Sequence, residues 1–281
     1  MKPSIWTSMY IEKPLPQALE QLNACGWKNF EVSDEHLAQL DAGGGKLVEE
    51  TLAIADRLSL TLPQSHAYLV ANLAHPDQEI RSRDILILKT HLELSAKLGV
   101  KNVVVHPGRG NGYRNTRELR EIERLNLESF RELADAAGEL SLTICIENMP
   151  DCPGIPGKRV YGTETHELFA ILDGVKSESL GLTLDTSHAN LQGLDIPEMI
   201  REWGSRLKAT HISDNDGSGD QHKTPGGGKI NWKEVMRAFA DSNYDGVFNL
   251  EIPGERHPCP EMLRRHAAYA CEITEWLVSL A

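Results

Sequence analysis

The sequence predicts an α/β fold, a single-domain (β/α)8 TIM barrel covering residues 1–281. Eight short β-branched or apolar runs alternate with longer stretches of helical period, the pattern of a parallel sheet with helices packed on it. A length of 281 residues is ordinary for such a barrel. A doubly wound open sheet competes, but the first strand lacks the Gly-rich turn that its nucleotide-binding forms carry. No Pro/Ser-rich linker or shift of composition divides the chain.

The chain opens with strand Ser4–Met9 and helix Leu15–Cys25, where Leu15, Leu19 and Leu22 recur at helical spacing. Strand Asn29–Ser33 precedes helix Val48–Leu58, with Gly43-Gly44-Gly45 read as part of a flexible loop between them. Strand Leu60–Ser65 leads to helix Glu79–Leu98, and strand Asn102–His106, built on three valines, leads to Thr116–Ala137. Leu142–Glu147 is followed by helix Glu164–Leu172, and Gly181–Thr186 by Ile196–Trp203. Strand Leu207–His211 reaches helix Trp232–Asp241 through a loop holding Gly226-Gly227-Gly228. Strand Val247–Glu251 and helix Pro260–Leu280 close the series.

Composition narrows the class. Lys and Arg number 29 against 41 Asp and Glu, a net charge of −12, so non-specific attraction to nucleic acid or an anionic membrane is disfavoured. With 40% hydrophobic and 25% charged residues the chain is globular rather than disordered or fibrous. Five scattered cysteines without a CxxC pair argue against a disulfide framework and a thiolate zinc site. Residues 1–12 carry no apolar run of signal-peptide length and no stretch approaches a membrane span, so the expected compartment is the cytoplasm, with no membrane partner.

Function is written in where the ionisable residues fall. Successive strands end in His106, Glu147, Asp185, His211 and Glu251, with His188 three residues beyond Asp185. The C-terminal ends of parallel barrel strands converge on one face, so these side chains share a pocket. Carboxylates and imidazoles without cysteine suit Mn²⁺, Zn²⁺, Co²⁺ or Mg²⁺. Anionic groups crowded together repel one another and lose hydration unless a cation lies between them. A divalent metal ion, and no organic cofactor, is therefore expected.

These segments resemble the xylose isomerase-like barrels, which include sugar and sugar-phosphate isomerases and epimerases as well as the endonuclease IV type of apurinic-site nuclease. The resemblance is carried by Val105-His106-Pro107-Gly108, Ile146-Glu147-Asn148, Leu184-Asp185-Thr186-Ser187-His188, Thr210-His211-Ile212-Ser213-Asp214, Asp220-Gln221-His222 and Leu250-Glu251. The turn Pro225-Gly226-Gly227-Gly228-Lys229-Ile230-Asn231-Trp232 is similar as well. For the sugar branch the resemblance implies one metal held by Glu147, Asp185, His211 and Glu251. It implies a small sugar or sugar phosphate as substrate, a metal-stabilised enediolate, and Glu147 and Glu251 as the acid/base pair. His66, His106, His188, Asp220 and His222 would then bind substrate or hold additional metal.

For the nuclease branch the resemblance implies a trinuclear zinc site, and all nine residues just named are candidates for it. Asn72-Leu73-Ala74-His75-Pro76 and Ser82-Arg83-Asp84 also resemble the nuclease. Gln221 stands where that branch has an arginine, and basic residues to grip a DNA backbone are sparse, so nucleic acid is the less favoured partner. A dehydratase or lyase starting from the same enolate, and a barrel that only binds metal and ligand, remain alternatives. Trp6 is read as a core aromatic or a surface for a sugar to stack on, and Lys223 and Lys229 as solvated or phosphate contacts. His36, His75, His91, His166, His257 and His266 are given no role. Barrels of this kind often form homo-oligomers.

Overall fold

The computed structural model describes residues 1–151, 156–253 and 259–281. Cys152 and His257 lie outside the described residues. Eight parallel strands, β1 (Lys2–Trp6), β2 (Asn29–Val32), β3 (Thr61–His66), β4 (Asn102–Val105), β5 (Thr143–Glu147), β6 (Leu180–Asp185), β7 (Leu207–His211) and β8 (Val247–Leu250), form one sheet in the order β7-β6-β5-β4-β3-β2-β1-β8. The ladder between β7 and β8 is reduced to a bridge, in which Ile212 N–H donates to Asn249 O at 2.7 Å and Glu251 N–H donates to Ile212 O at 3.1 Å. The Thr210 hydroxyl supplements it by donating to Val247 O (2.7 Å) and accepting from Asn249 N–H (3.1 Å). The expected (β/α)8 TIM barrel is the observed fold.

The helices are α1 (Leu15–Asn23), α2 (Asp34–Leu58), α3 (Gln78–Lys97), α4 (Thr116–Glu139), α5 (Thr165–Val175), α6 (Thr186–Leu191), α7 (Ile196–Trp203), α8 (Trp232–Asp241) and α9 (Pro260–Val278). Their starts follow side-chain chemistry. Ser33 accepts from His36 N–H at α2, Asn115 from Arg117 and Glu118 N–H at α4, and Asp185 from His188 N–H at α6, each satisfying donors that the first helical turn leaves free. None of the helices among the described residues is long and apolar enough to cross a membrane.

Three expectations are corrected. The strand expected at Ser4–Met9 stops at Trp6, and Thr7–Tyr10 forms a 3-10 turn that carries the chain off the barrel rim. The helix expected at Val48–Leu58 begins at Asp34, and the glycine run expected as a loop lies inside it. There Gly44 leaves the helical region at φ 62° and ψ −163°, so two helical stretches meet at a kink that a side chain would strain. Helix α6 was not anticipated. It is a short turn capped by Asp185, which therefore serves both strand end and helix start.

Inside the barrel the lining is divided. Val104, Cys145 and Ala209 make a small apolar group, whereas Ser4, Glu31, Gln64 and Asn249 are wholly buried polar residues linked to one another. Barrel interiors are usually filled by branched aliphatic side chains. Here the polar half lies directly beneath the C-terminal face.

Candidate metal centre

Six of the nine candidates are placed by strand ends. His66 ends β3, His106 follows β4, Glu147 ends β5, Asp185 ends β6, His211 ends β7 and Glu251 follows β8. His188 sits in the first turn of α6, its N–H bonded to Asp185 Oδ1 at 2.7 Å. Asp220 and His222 come from the β7–α8 loop. That loop is folded back by the antiparallel bridge between Asp214 and Lys223 and by Asp214, whose carboxylate accepts from the main chain of Asn215, Gly226 and Ile230 and from the Trp232 indole.

The structure brings all nine residues together. Glu147 is the hub: Oε1 lies 2.9 Å from His211 Nδ1 and 3.5 Å from His188 Nδ1, and Oε2 lies 3.3 Å from His106 Nε2 and 3.5 Å from His66 Nε2. Glu251 Oε2 is 3.4 Å from His211 Nδ1 and 3.3 Å from His222 Nδ1. Asp220 reaches His188 Nε2 at 3.4 Å and His222 Nε2 at 3.1 Å. Donor atoms converge within 4.8 Å in four overlapping sets: His66, His106 and Glu147; His66, His211 and Glu251; Asp185, His188 and His222; and Glu147, Asp185, His211 and Glu251.

Main-chain carbonyls orient three of the rings. His66 Nδ1 donates to Ala67 O (2.7 Å), His188 Nδ1 to Asn148 O (2.8 Å) and His222 Nδ1 to Glu251 O (2.9 Å). A carbonyl only accepts, so each bond leaves Nε2 as the free donor to a cation. Asn148, next to Glu147, also accepts from Asp185 N–H and donates to Asp185 O, clipping the ends of β5 and β6 together. His222 holds a left-handed backbone (φ 43°), a strained conformation for a non-glycine residue, fixed here by its contacts to Asp220 and Glu251.

The electrostatics ask for positive charge. Burial would keep His66, His188, His211 and His222 neutral, yet the carboxylates around them prevail. They raise His66 and His188 to about 9 and His211 and His222 well above the usual histidine value. His106 goes the other way, because its burial outweighs Glu147. Burial also works to raise both glutamates. In Glu147 it is overcome by the charge of His211 and by the nearby rings of His106 and His66, which hold the carboxyl well below its usual range. In Glu251 it prevails over His211 and His222, aided by Glu147 and Asp185, and the carboxyl rises to about 8.

Four buried polar atoms, His66 Nε2, Glu147 Oε2, Asp185 Oδ2 and Glu251 Oε2, have no hydrogen-bond partner. Buried groups of this kind are seldom left unpaired, and a divalent cation would satisfy the three carboxylate oxygens, whose residues share one donor set. The donor set therefore fits a metal of the oxygen- and imidazole-preferring type.

Above the donors opens a cleft of about 560 Å³, floored by Glu147, Glu251, His106, His188, Asp220 and His222 and walled by Trp6, Leu69, Val70, Pro107, Met149 and Val160. That volume suits a small molecule. Trp6 lines the wall with its indole N–H buried and unpartnered, so it belongs to the cleft as much as to the core. Lys223 is tied to Asp216 at 3.0 Å. His36 is a buried structural residue bonded to Thr7, Ser33 and Lys13 O, and His91 is buried under Tyr68.

A sequence model of the xylose isomerase-like TIM barrel matches residues 19–277. The chain belongs to this family. Fructoselysine 3-epimerase of Escherichia coli O157:H7 is 22% identical over 260 residues, covering 90% of this chain and 90% of the epimerase. A probable endonuclease 4 of Aquifex aeolicus is 26% identical over 211 residues, covering 69% of this chain and 72% of the relative. Among solved structures, a D-tagatose 3-epimerase-like protein superposes with a TM-score of 0.83 at 23% identity, over 99% of this chain and 97% of that one. The family thus holds relatives of both chemistries, and the structural likeness speaks to the fold.

Sequence reading missed Glu31. It is wholly buried in the middle of β2, and its carboxylate meets His211 Nε2 at 3.1 Å. A charged residue inside the buried run Asn29–Ser33 was the available signal, because such residues are almost never fully buried without partners. Attention to strand ends passed over it.

Proposed function

We propose that this chain is a metal-dependent sugar epimerase or aldose–ketose isomerase in which Glu147 and Glu251 are the acid/base pair. The observation that carries the reading is the pair itself. Two carboxylates on β5 and β8 flank one imidazole nitrogen, His211 Nδ1, at 2.9 and 3.4 Å, and their surroundings push their proton affinities in opposite directions. Moving a proton off a carbon beside a carbonyl and returning one requires two carboxyl groups in two protonation states.

A divalent cation held by Glu147, Asp185, His211 and Glu251 would supply the Lewis acidity that makes such a C–H bond acidic enough to break. Glu147 and Glu251 take and deliver the proton. Delivery to the opposite face of the same carbon gives epimerisation, and delivery to the neighbouring carbon gives isomerisation. His188, His222 and Asp220 contact sugar hydroxyls at the cleft floor, while the apolar wall excludes water from the reacting carbon. The epimerase relative and the size of the cleft support a small sugar as substrate.

One observation favours the nuclease as a second reading: His66 with His106 and Glu147, and Asp185 with His188 and His222, are donor sets beside the four-residue set. Against it stand Gln221 in the position of the expected arginine and a cleft wall in which Arg109 is the one arginine or lysine among the described lining residues. The experiment is proton exchange in D₂O. With Mn²⁺ or Co²⁺ present, deuterium should enter at the carbon next to the carbonyl of a ketose in the NMR spectrum. No exchange across a broad panel of sugars, together with cleavage of abasic DNA, would reverse the ranking.

A further inference from the structure

We propose that Glu31 is a positioning residue of the metal centre: it fixes the His211 ring through Nε2, so that Nδ1 is the nitrogen offered to the cation. The inference rests on the metal part of the functional reading and is independent of what substrate the cleft takes.

His211 differs from its neighbours. His66, His188 and His222 are each held through Nδ1 by a main-chain carbonyl. His211 is held through Nε2, and by a side-chain carboxylate whose two oxygens both lie 3.1 Å away. Its Nδ1 meets Glu147 and Glu251, the candidate acid/base pair. A carboxylate only accepts, so Glu31 keeps the proton on Nε2 and leaves the Nδ1 lone pair for a metal. No carbonyl could do the same with equal strength, because a charge-assisted hydrogen bond is roughly twice as strong as a neutral one.

Glu31 is itself held firmly. β2 and β3 pair Glu31 with Gln64, whose amide donates to Glu31 Oε2. β1 and β8 pair Ser4 with Asn249, which accepts from the Ser4 hydroxyl at 2.8 Å and donates to Glu31 Oε2 at 2.8 Å. Gln64 also donates to Thr210 O, next to His211. Four strands thus aim one carboxylate across the barrel at β7. Three donors face it, and nothing among them accepts. A glutamine at position 31 would therefore turn an N–H toward one donor or another. Where that N–H faces His211 Nε2, it favours the tautomer with the proton on Nδ1, the form that cannot ligate through that nitrogen.

A purely structural role for Glu31, tying β2 to β3 and β8, would lower stability and leave metal affinity alone. The experiment separates the two. Metal-free Glu31→Gln protein, shown to be folded by its circular dichroism and a cooperative melt, is titrated with Mn²⁺ and Co²⁺ against a chelator. The expected result is a ten- to hundredfold weaker Kd and an altered visible Co²⁺ spectrum. A folded variant with the wild-type Kd and spectrum overturns the proposal.

The wild-type protein gives a test that survives even if the variant fails to fold. Loaded with ¹¹³Cd²⁺ and labelled with ¹⁵N-histidine, it should show cadmium coupling to His211 Nδ1 and a slowly exchanging proton on Nε2. Coupling to Nε2, or none to His211, overturns the assignment. Neither readout depends on turnover of any sugar, so loss of the sugar reading would leave this result standing.

Discussion

At the scale of single residues, the acid/base proposal turns on two oxygens that lie near imidazoles but receive no hydrogen bond, Glu147 Oε2 and Glu251 Oε2. Replacing either glutamate by glutamine keeps its size and removes its ability to hold or release a proton. Glu147→Gln and Glu251→Gln are each expected to lower kcat by about 10²- to 10⁴-fold, the usual worth of a positioned acid or base. Because both are also donors of the four-residue set, metal content must be measured beside turnover. A variant that keeps its metal and loses turnover supports the proton-transfer role, and full activity in either variant removes that residue from it. His188 and His222 differ in kind, since their rings are held by main-chain carbonyls and they line the cleft without belonging to the four-residue set.

At the scale of elements, the close approach of two loops and one buried histidine on α3 carry predictions. Gly108, after β4, packs so tightly on the β3–α3 loop that a Cβ would come within 2.1 Å of Ala74 N and 2.5 Å of Leu73 C. Asn126 of α4 pins it there, accepting from its N–H at 2.7 Å and donating to its carbonyl at 2.8 Å. Gly108→Ala is expected to cost about 1–3 kcal/mol, as other overpacked sites do, read as a lowered urea midpoint. It should also weaken kcat/KM, because the displaced loop follows His66.

His91 makes the acid limb steep. Burial lowers it from 6.5 to about 4, so the folded state holds it neutral while the unfolded chain protonates. Its contribution is therefore intact above pH 6.5 and is lost as pH falls from there toward 4, an effect on the order of 3 kcal/mol. Urea melts of His91→Gln at pH 7 and pH 4.5 should show a smaller difference than the wild type; an equal difference would refute the assignment.

Elements were also the scale at which the sequence was most readable. Strand ends such as Val105-His106 and Ile146-Glu147 were legible because a buried run terminated by an ionisable residue has one geometric meaning in a parallel barrel. The start of α2 was not, because Gly43-Gly44-Gly45 signals a break and the structure uses it as a kink within a helix. Glu31 was not, because its partners Gln64, Asn249 and His211 come from three other strands and only the closed barrel brings them near it.

At the scale of the whole molecule, the net charge of −12 first argues against anionic partners, yet part of it is concentrated at one end of the barrel. Glu31, Glu147, Asp185 and Glu251 are all buried there, and the carboxylates among them raise the proton affinity of His66, His188 and His211. Metal binding would compete with those protons, so affinity should fall as pH is lowered and binding should release protons. A cation that binds only the folded chain stabilises it by about 2.7 kcal/mol at a hundredfold excess over Kd. For a chain of this length, that corresponds to a Tm rise of about 5 °C, reversed by a chelator. Stoichiometry then separates the two chemistries of the family. The four-residue set predicts one equivalent by elemental analysis, retained in His106→Ala and His222→Ala because neither residue belongs to that set. Three equivalents of zinc, with one lost in each of those variants, would mean that His66, His106, His188, Asp220 and His222 are ligands rather than sugar contacts, and the nuclease reading would then take precedence.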